Sequence, residues 1–342
     1  MDVATQKMKR IIISRTDAIG DVVLTLPLCG LIKNYFPDTD IIFFGKTYTQ
    51  PVINLSSHVA SFLNYDEFEK LNIADQAEFL FSQHADVILH VFPRSNIAKA
   101  AKRARIPLRV GTSHRLYHFF TCNKLLHFSR KKSDLHEAQL NVKLLEGIGL
   151  KLQPSLTGLI KYYGLKQTSA PPEKFSSLLN TDSFKLILHP KSHGSAREWG
   201  LDNYSKLIEL IKPYPIKIFI TGSDKEKIML NDWTSKLPDN VTDVTGTMSL
   251  GELISFINAC DGIIAASTGP LHIAAAVGKH VIGIYPPIKP MHPARWAPVG
   301  TNATYLCDVN LCHDCKNNPS QCNCMHNISP TLAAERILSW IK

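Results

Sequence analysis

Short, mainly apolar runs alternate along the chain with longer segments whose apolar residues recur at helical spacing. In the first half the clearest runs are Arg10–Ser14 (RIIIS), Ile41–Phe44 and Val87–Val91. A run that is apolar at every position hides both of its faces, as a strand does in a parallel sheet covered by helices on each side. Tyr162–Asp182 interrupts the pattern with Pro171-Pro172 and many polar residues, and reads as a connection between domains. The alternation then restarts. FKLILHP predicts a strand running out at His189-Pro190, IKIFITGS a strand leaving at Gly222-Ser223, and GIIAA a strand ending at Ala266. SLGELISFINAC predicts a helix with a Ser249/Glu252 capping box. GPLHIAAAVGKHVIGIY predicts a helix and then a strand, with Pro270 near the first helical position and Gly278 just past the end. The expected fold class is therefore α/β, with two similar domains in tandem spanning residues 1–165 and 166–342.

A chain of 342 residues is long enough for two such cores. Gly262–Tyr285, the longest mildly apolar stretch, contains Pro270, His272, Lys279 and His280 and reads as helix plus strand, not as a membrane span. Met1–Lys9 lacks the pattern of a signal peptide, and a reducing compartment is expected. Charge changes the picture more. The net charge is +9, and between Val87 and Ser133 there is no acidic residue. The same stretch carries Arg94, Lys99, Lys102, Arg103, Arg105, Arg109, Arg115, Lys124, Arg130, Lys131 and Lys132. Like charges at this density repel, so the stretch is either a solvated face or a site for an anionic partner. Of the eight cysteines, Cys29, Cys122 and Cys260 lie in apolar segments and read as core thiols. The other five cluster at Cys307, Cys312, Cys315, Cys322 and Cys324.

The chain lacks G-x-G-x-x-G after a strand, a Walker A motif, G-x-S-x-G and H-E-x-x-H. Asp38–Asp40 (DTD) precedes a strand, whereas ligands of parallel sheets gather beyond the carboxyl ends, so it reads as a turn. Four loops do follow strands: Arg15–Asp21, His189–Gly200, Thr221–Lys227 and Ala266–His272. In the last, Ser267, Thr268 and Gly269 lead into the helix that starts near Pro270. A helix amino end exposes unpaired N–H groups and binds phosphate, with Gly269 leaving room for close approach. One such end contributes only about 0.3–1 kcal/mol when exposed, so a diphosphate needs further cations and donors. Lys191, Ser192, Arg197 and His272 are placed to supply them; a plain capping turn is the alternative. Asp21, where the first helix begins, reads either as a proton acceptor held ionised by the helix dipole or as a simple N-cap.

These loops, in this order, resemble glycosyltransferase family 9, the heptosyltransferases of bacterial lipopolysaccharide assembly. RTDAIGDVVLTLPL is similar to the family's amino-terminal signature, SAREWGLDNY to its basic-x-Trp segment, and VTGTMSLGELISFINACDGIIAASTGPLHIAAAVGKHVIGIYPP to its longest block. The resemblance implies the GT-B architecture, two Rossmann-like domains facing across a cleft, with acceptor bound by residues 1–165 and nucleotide-sugar by 166–342. It also allows the last helix to pack back on the first domain. It implies inversion at the anomeric carbon without a catalytic metal. Asp21 maps onto the general base, with Arg15 and Gly20 supporting its loop. Arg197 maps onto the basic residue before the Trp, and Glu226 onto the acid of the third loop. Thr268, Gly269, Pro270 and His272 map onto the T-G-P-x-H motif.

Many members carry Asp before T-G-P and hold the donor sugar with it; this chain has Ser267. The donor the resemblance implies is ADP-heptose, with a GT-B transferase on another nucleotide sugar as one alternative. A nucleic-acid-binding protein is another, motivated by the basic stretch, although a recognised binding motif is lacking and interleaved aromatics are few. A third is a family member that binds nucleotide without transferring. The acceptor implied is an anionic glycolipid core at the inner face of the cytoplasmic membrane, with the protein cytoplasmic and peripheral. That would give the basic stretch a use, and no nucleic-acid partner is then expected. Cys312-x2-Cys315 and Cys322-x-Cys324 offer four thiolates for a structural zinc, or simply a thiol-rich loop.

Overall fold

The apolar runs form the inner strands of two separate parallel sheets. The computed structural model describes residues 8–308, 314–317 and 322–341. The first sheet comprises β1 (Arg10–Ser14), β2 (Asp40–Gly45), β3 (Ser61–Asn64), β4 (Val87–His90), β5 (Leu108–Thr112) and β6 (Lys124–Leu126), in the order β3-β2-β1-β4-β5-β6. The second comprises β7 (Phe184–His189), β8 (Ile216–Ile220), β9 (Val241–Asp243), β10 (Gly262–Ala266), β11 (His280–Tyr285) and β12 (Ala303–Cys307), in the order β12-β11-β10-β7-β8-β9. All neighbouring strands pair in parallel. Counted from its own first strand, each sheet has the doubly wound order 3-2-1-4-5-6. The strand order reverses between β1 and β4 in one sheet and between β7 and β10 in the other, and ligands of such sheets bind beyond the carboxyl ends at that point.

The chain divides into two compact units, Met1–Lys166 and Gln167–Lys342. Hydrogen bonds show why the division falls there. Leu165 bridges to Ser56, and the Lys166 amide donates to the Leu55 carbonyl at 2.7 Å. Just beyond, Asn258 donates to the Thr168 hydroxyl at 2.7 Å, and Lys174 reaches the Thr247 carbonyl and Glu252.

In the first unit Ile12, Phe44, Tyr65, Phe68, Leu80, Ile88 and Ile97 build one core between sheet and helices. In the second, Leu188, Trp199, Tyr204, Leu207, Ile218, Ile264 and Ile284 do the same. Burying each such side chain contributes about 1.5–3 kcal/mol. Cys29, Cys122 and Cys260 are buried; of the expected turn at Asp38–Asp40, Asp38 lies in the turn Pro37–Asp38 and Asp40 already opens β2. The Ser249/Glu252 capping box is present, and Gly278 follows its helix with φ +80°. The last helix, Pro330–Leu338, packs on Leu201–Ile211 of its own unit. Among the described residues no helix is long and apolar enough to cross a membrane.

Candidate functional site

In the first unit, register sets the site. Ser14 pairs with Phe44 and His90, so Arg15 emerges at the carboxyl edge where the strand order reverses. Its guanidinium is buried, and each of its three nitrogens donates. Nε donates to Asp17 at 2.7 Å, Nη1 to Glu137 at 2.9 Å and to Asn141 at 3.3 Å, and Nη2 to Asp21. Arg130 also donates to Glu137, and to Asn141 at 3.0 Å. Asn141 in turn donates to the Leu24 carbonyl and the Thr25 hydroxyl, both at 3.1 Å. The Thr25 hydroxyl donates to the Asp21 carbonyl at 2.7 Å. Arg94, from the loop after β4, donates to the Thr16 hydroxyl at 2.9 Å. Three carboxylates thus surround two guanidinium groups, and Asp21, at 18% side-chain exposure, keeps an edge open to solvent.

Asp21 is the third residue of the helix Ile19–Val23, with Gly20 before it; the N-cap is Ala18, so the N-cap reading does not hold. The expectation that the helix dipole lowers its basicity is also reversed. Burial raises the Asp21 pKa, Glu137 adds to the rise, and the attraction of Arg15 does not cancel it. Asp17 is pushed up to about 7, again mainly by burial. Arg15 stays charged. The cluster therefore presents a half-buried carboxylate more basic than an ordinary aspartate, as a general base at neutral pH requires.

In the second unit, His189 lies beside Ala265 in register and Leu188 beside Ile220, so three loops leave the sheet together. Burial lowers the His189 pKa and keeps the ring neutral, and its Nδ1 meets the Thr221 hydroxyl at 3.0 Å. Lys191 Nζ donates to Glu198 at 2.8 Å, and Glu198 also accepts from the Ser192 amide at 3.1 Å. The Ser192 hydroxyl donates to the Ala196 carbonyl at 2.8 Å, which closes the loop on itself. Arg197 Nη2 donates to the Cys315 carbonyl at 2.7 Å. Glu226 is buried in a capping box, where its Oε2 accepts from the Ser223 amide at 2.7 Å and hydroxyl at 3.0 Å.

The helix Gly269–Ala276 begins one turn beyond β10, with Pro270 in its first turn. Its N-cap, Thr268, gives it no side-chain cap. The Thr268 hydroxyl oxygen is buried without a hydrogen-bond partner among the described residues, although buried hydroxyls ordinarily find one. The Ser267 hydroxyl stands 3.5 Å from Nε2 of the buried His272. An uncapped helix amino end, an orphaned hydroxyl and Lys191 thus share the carboxyl edge at the switch point, a set of donors suited to phosphate oxygens, whereas the Ser192 amide and hydroxyl donate within their own loop. Glu137 and Glu198 were not singled out from the sequence. Glu137 is among the first acids after the long acid-free stretch, and Glu198 lies inside SAREWG.

The family model for glycosyltransferase family 9 (heptosyltransferase) matches residues 109–326. The chain belongs to glycosyltransferase family 9. Among its relatives is the lipopolysaccharide core heptosyltransferase OpsX of Haemophilus influenzae, 22% identical over 315 residues, covering 86% of this chain and 84% of that protein. Among solved structures, a glycosyl transferase family 9 protein from Veillonella parvula superposes with a TM-score of 0.78 at 18% identity, covering 98% and 99% of the two chains. The Escherichia coli heptosyltransferase WaaC with ADP gives 0.71 at 16% identity, covering 97% and 99%. These likenesses show the GT-B fold for this family 9 member, its two Rossmann-like units being the two sheets above.

Proposed function

We propose that the protein transfers a heptosyl group from ADP-heptose to an anionic lipopolysaccharide core acceptor, with inversion and without a catalytic metal. The observation that carries the donor half is the uncapped helix end at Thr268-Gly269 with its orphaned buried hydroxyl. A diphosphate oxygen there accepts from the Gly269 amide and the Thr268 hydroxyl, and Lys191, on the loop that Ser192 closes, neutralises charge that builds on the leaving group. Arg197 extends the cationic wall. Glu226 stands after the second strand of its unit, where doubly wound folds place the ribose-binding acid. Ser267, with His272 behind it, faces the donor sugar where other family members carry Asp. WaaC was solved with ADP, which favours an adenine nucleotide.

In the chemical step the acceptor hydroxyl oxygen attacks the anomeric carbon. Its proton passes to Asp21, and the bond to the diphosphate breaks with the electron pair leaving on ADP. Calorimetry tests the donor half. ADP is expected to bind at least tenfold more tightly than UDP or GDP, and Thr268→Val to weaken ADP about tenfold by removing one charge-assisted hydrogen bond. Preference for UDP or GDP would remove the heptose assignment in favour of another donor.

The acceptor half needs a membrane-anchored substrate, and the first unit carries a matching surface. The short helix Leu116–Thr121 buries His118 and Thr121 but exposes Leu116, Phe119 and Phe120 at 82%, 52% and 75%. It packs beside the helix Ser95–Arg103, whose outer face holds exposed Lys99, Lys102 and Arg103. Arg115, Lys124, Lys131 and Lys132 are exposed as well. An apolar wedge ringed by cations suits an anionic bilayer surface, each nearby cation adding about 1 kcal/mol. In flotation assays the protein should bind phosphatidylglycerol vesicles and release in high salt. Replacing Leu116, Phe119 and Phe120 by Ser should lower partitioning about 100-fold. Equal binding by wild type and triple variant would dismiss the wedge. Tight binding to DNA, indifferent to ADP, would favour the nucleic-acid alternative.

A further inference from the structure

Cys315, Cys322 and Cys324 bring three sulfur atoms to one point. The Cys315 sulfur lies 3.1 Å from that of Cys322 and 3.0 Å from that of Cys324, and the last two are 3.1 Å apart. Cys315 and Cys324 are each 2% exposed, within a core that also holds Trp199, Met325 and Ile328. Apolar packing sets neighbouring atoms about 3.5–4.0 Å apart and has no reason to aim three sulfurs at a common centre. A disulfide joins two sulfurs and leaves the third out. Thiolates converging in this way are the donor set of a soft or borderline cation.

We propose that Cys315, Cys322 and Cys324 bind a single thiophilic metal ion, zinc or mononuclear iron, that clamps segment 322–328 and Cys315 onto the loop carrying Arg197. Thiolates about 2.3 Å from a tetrahedral ion stand about 3.8 Å apart, so the three sulfurs need to open by less than 1 Å. Each thiol gives up its proton as the metal–sulfur bond forms. Cys312, the fourth thiol expected from the sequence, lies outside the described residues.

The clamped segment is what the Arg197 loop rests on. The Cys315 carbonyl accepts from Arg197, and the Ile328 carbonyl accepts from Trp199 Nε1 at 2.9 Å. The His326 carbonyl accepts from Asn203 at 3.0 Å. Gly200 sits at φ +95°, where an added Cβ would stand 2.6 Å from the His326 ring. Segment and loop are therefore packed and hydrogen-bonded to each other, and the ion holds the segment in that place. The metal stands on the sulfur geometry alone; its effect on Arg197 rests on the donor reading.

Elemental analysis of the full chain, purified under argon without a metal column, tests the proposal. We expect close to one equivalent of zinc or iron per chain. Zinc leaves the protein colourless, and thiolate-bound iron absorbs in the visible. Stripping with a chelator should expose three further reactive thiols and lower Tm, and restoring the metal should reverse both. Cys322→Ser, at the most accessible of the three, should fold with an unchanged circular dichroism spectrum and lose most of the metal. Metal-free protein, a disulfide between two of the three, or full metal retention in Cys322→Ser would overturn the proposal. If stripping removes the metal and leaves ADP affinity unchanged, the role of Arg197 fails while the metal site stands.

Discussion

Asp21→Asn is expected to fold and bind ADP as the wild type does, and to lose a factor of about 10²–10⁴ in kcat, the usual contribution of a positioned general base. The amide keeps an oxygen for the Arg15 guanidinium, so the charge cluster stays assembled while the proton acceptor is gone. The pH profile gives a second reading. A base works ionised, and burial together with Glu137 raises its pKa. The wild-type kcat/KM should therefore fall, as pH drops, through a midpoint clearly above the ordinary aspartate value near 4, and the variant should lack that limb. Wild-type turnover by Asp21→Asn, or an acid limb unchanged by it, would take Asp21 out of the chemistry.

Arg15→Ala should be the most destabilising single change in the first unit, by about 3–5 kcal/mol, because it leaves buried carboxylates without their cation. Arg15 has 3% side-chain exposure and holds Asp17, Asp21 and Glu137 together. Arg130 pairs with Glu137 as well. The loss should depend on pH in a definite direction. Removing Arg15 raises the folded-state carboxylate pKa values further above those of the wild type, so the loss is full above the variant's folded values and vanishes below the wild type's. Urea midpoints should therefore differ more between variant and wild type at pH 8 than at pH 5. Equal differences at the two pH values would mean that lost packing, not uncompensated charge, sets the cost.

Most of this framework was legible in the chain. The middles of β1, β7 and β10 are continuous apolar runs because both faces are covered, and that pattern survives any detail of packing. β6 (Lys124–Leu126) and β9 (Val241–Asp243) were not read because edge strands of three residues carry exposed polar positions and no period. The Thr268-Gly269 helix end was legible from local residue types. Glu137 was not, because its tie to Arg15 spans 122 residues and is made by packing alone. Glu198 escaped for another reason: an acid beside cations proposed for phosphate looks repulsive, yet it accepts from Lys191 and from the Ser192 amide. The basicity of Asp21 was misjudged because burial, invisible locally, outweighs a short helix's dipole.

The most direct test of the central claim is mass detection of the transferred sugar, with ADP-heptose, UDP-glucose and GDP-mannose offered separately to the wild-type protein and a lipopolysaccharide core acceptor. Gain of one heptosyl unit from ADP-heptose alone, with release of ADP, is the predicted result. Transfer from a UDP or GDP sugar instead, or no transfer from any donor by protein that binds ADP, would contradict it.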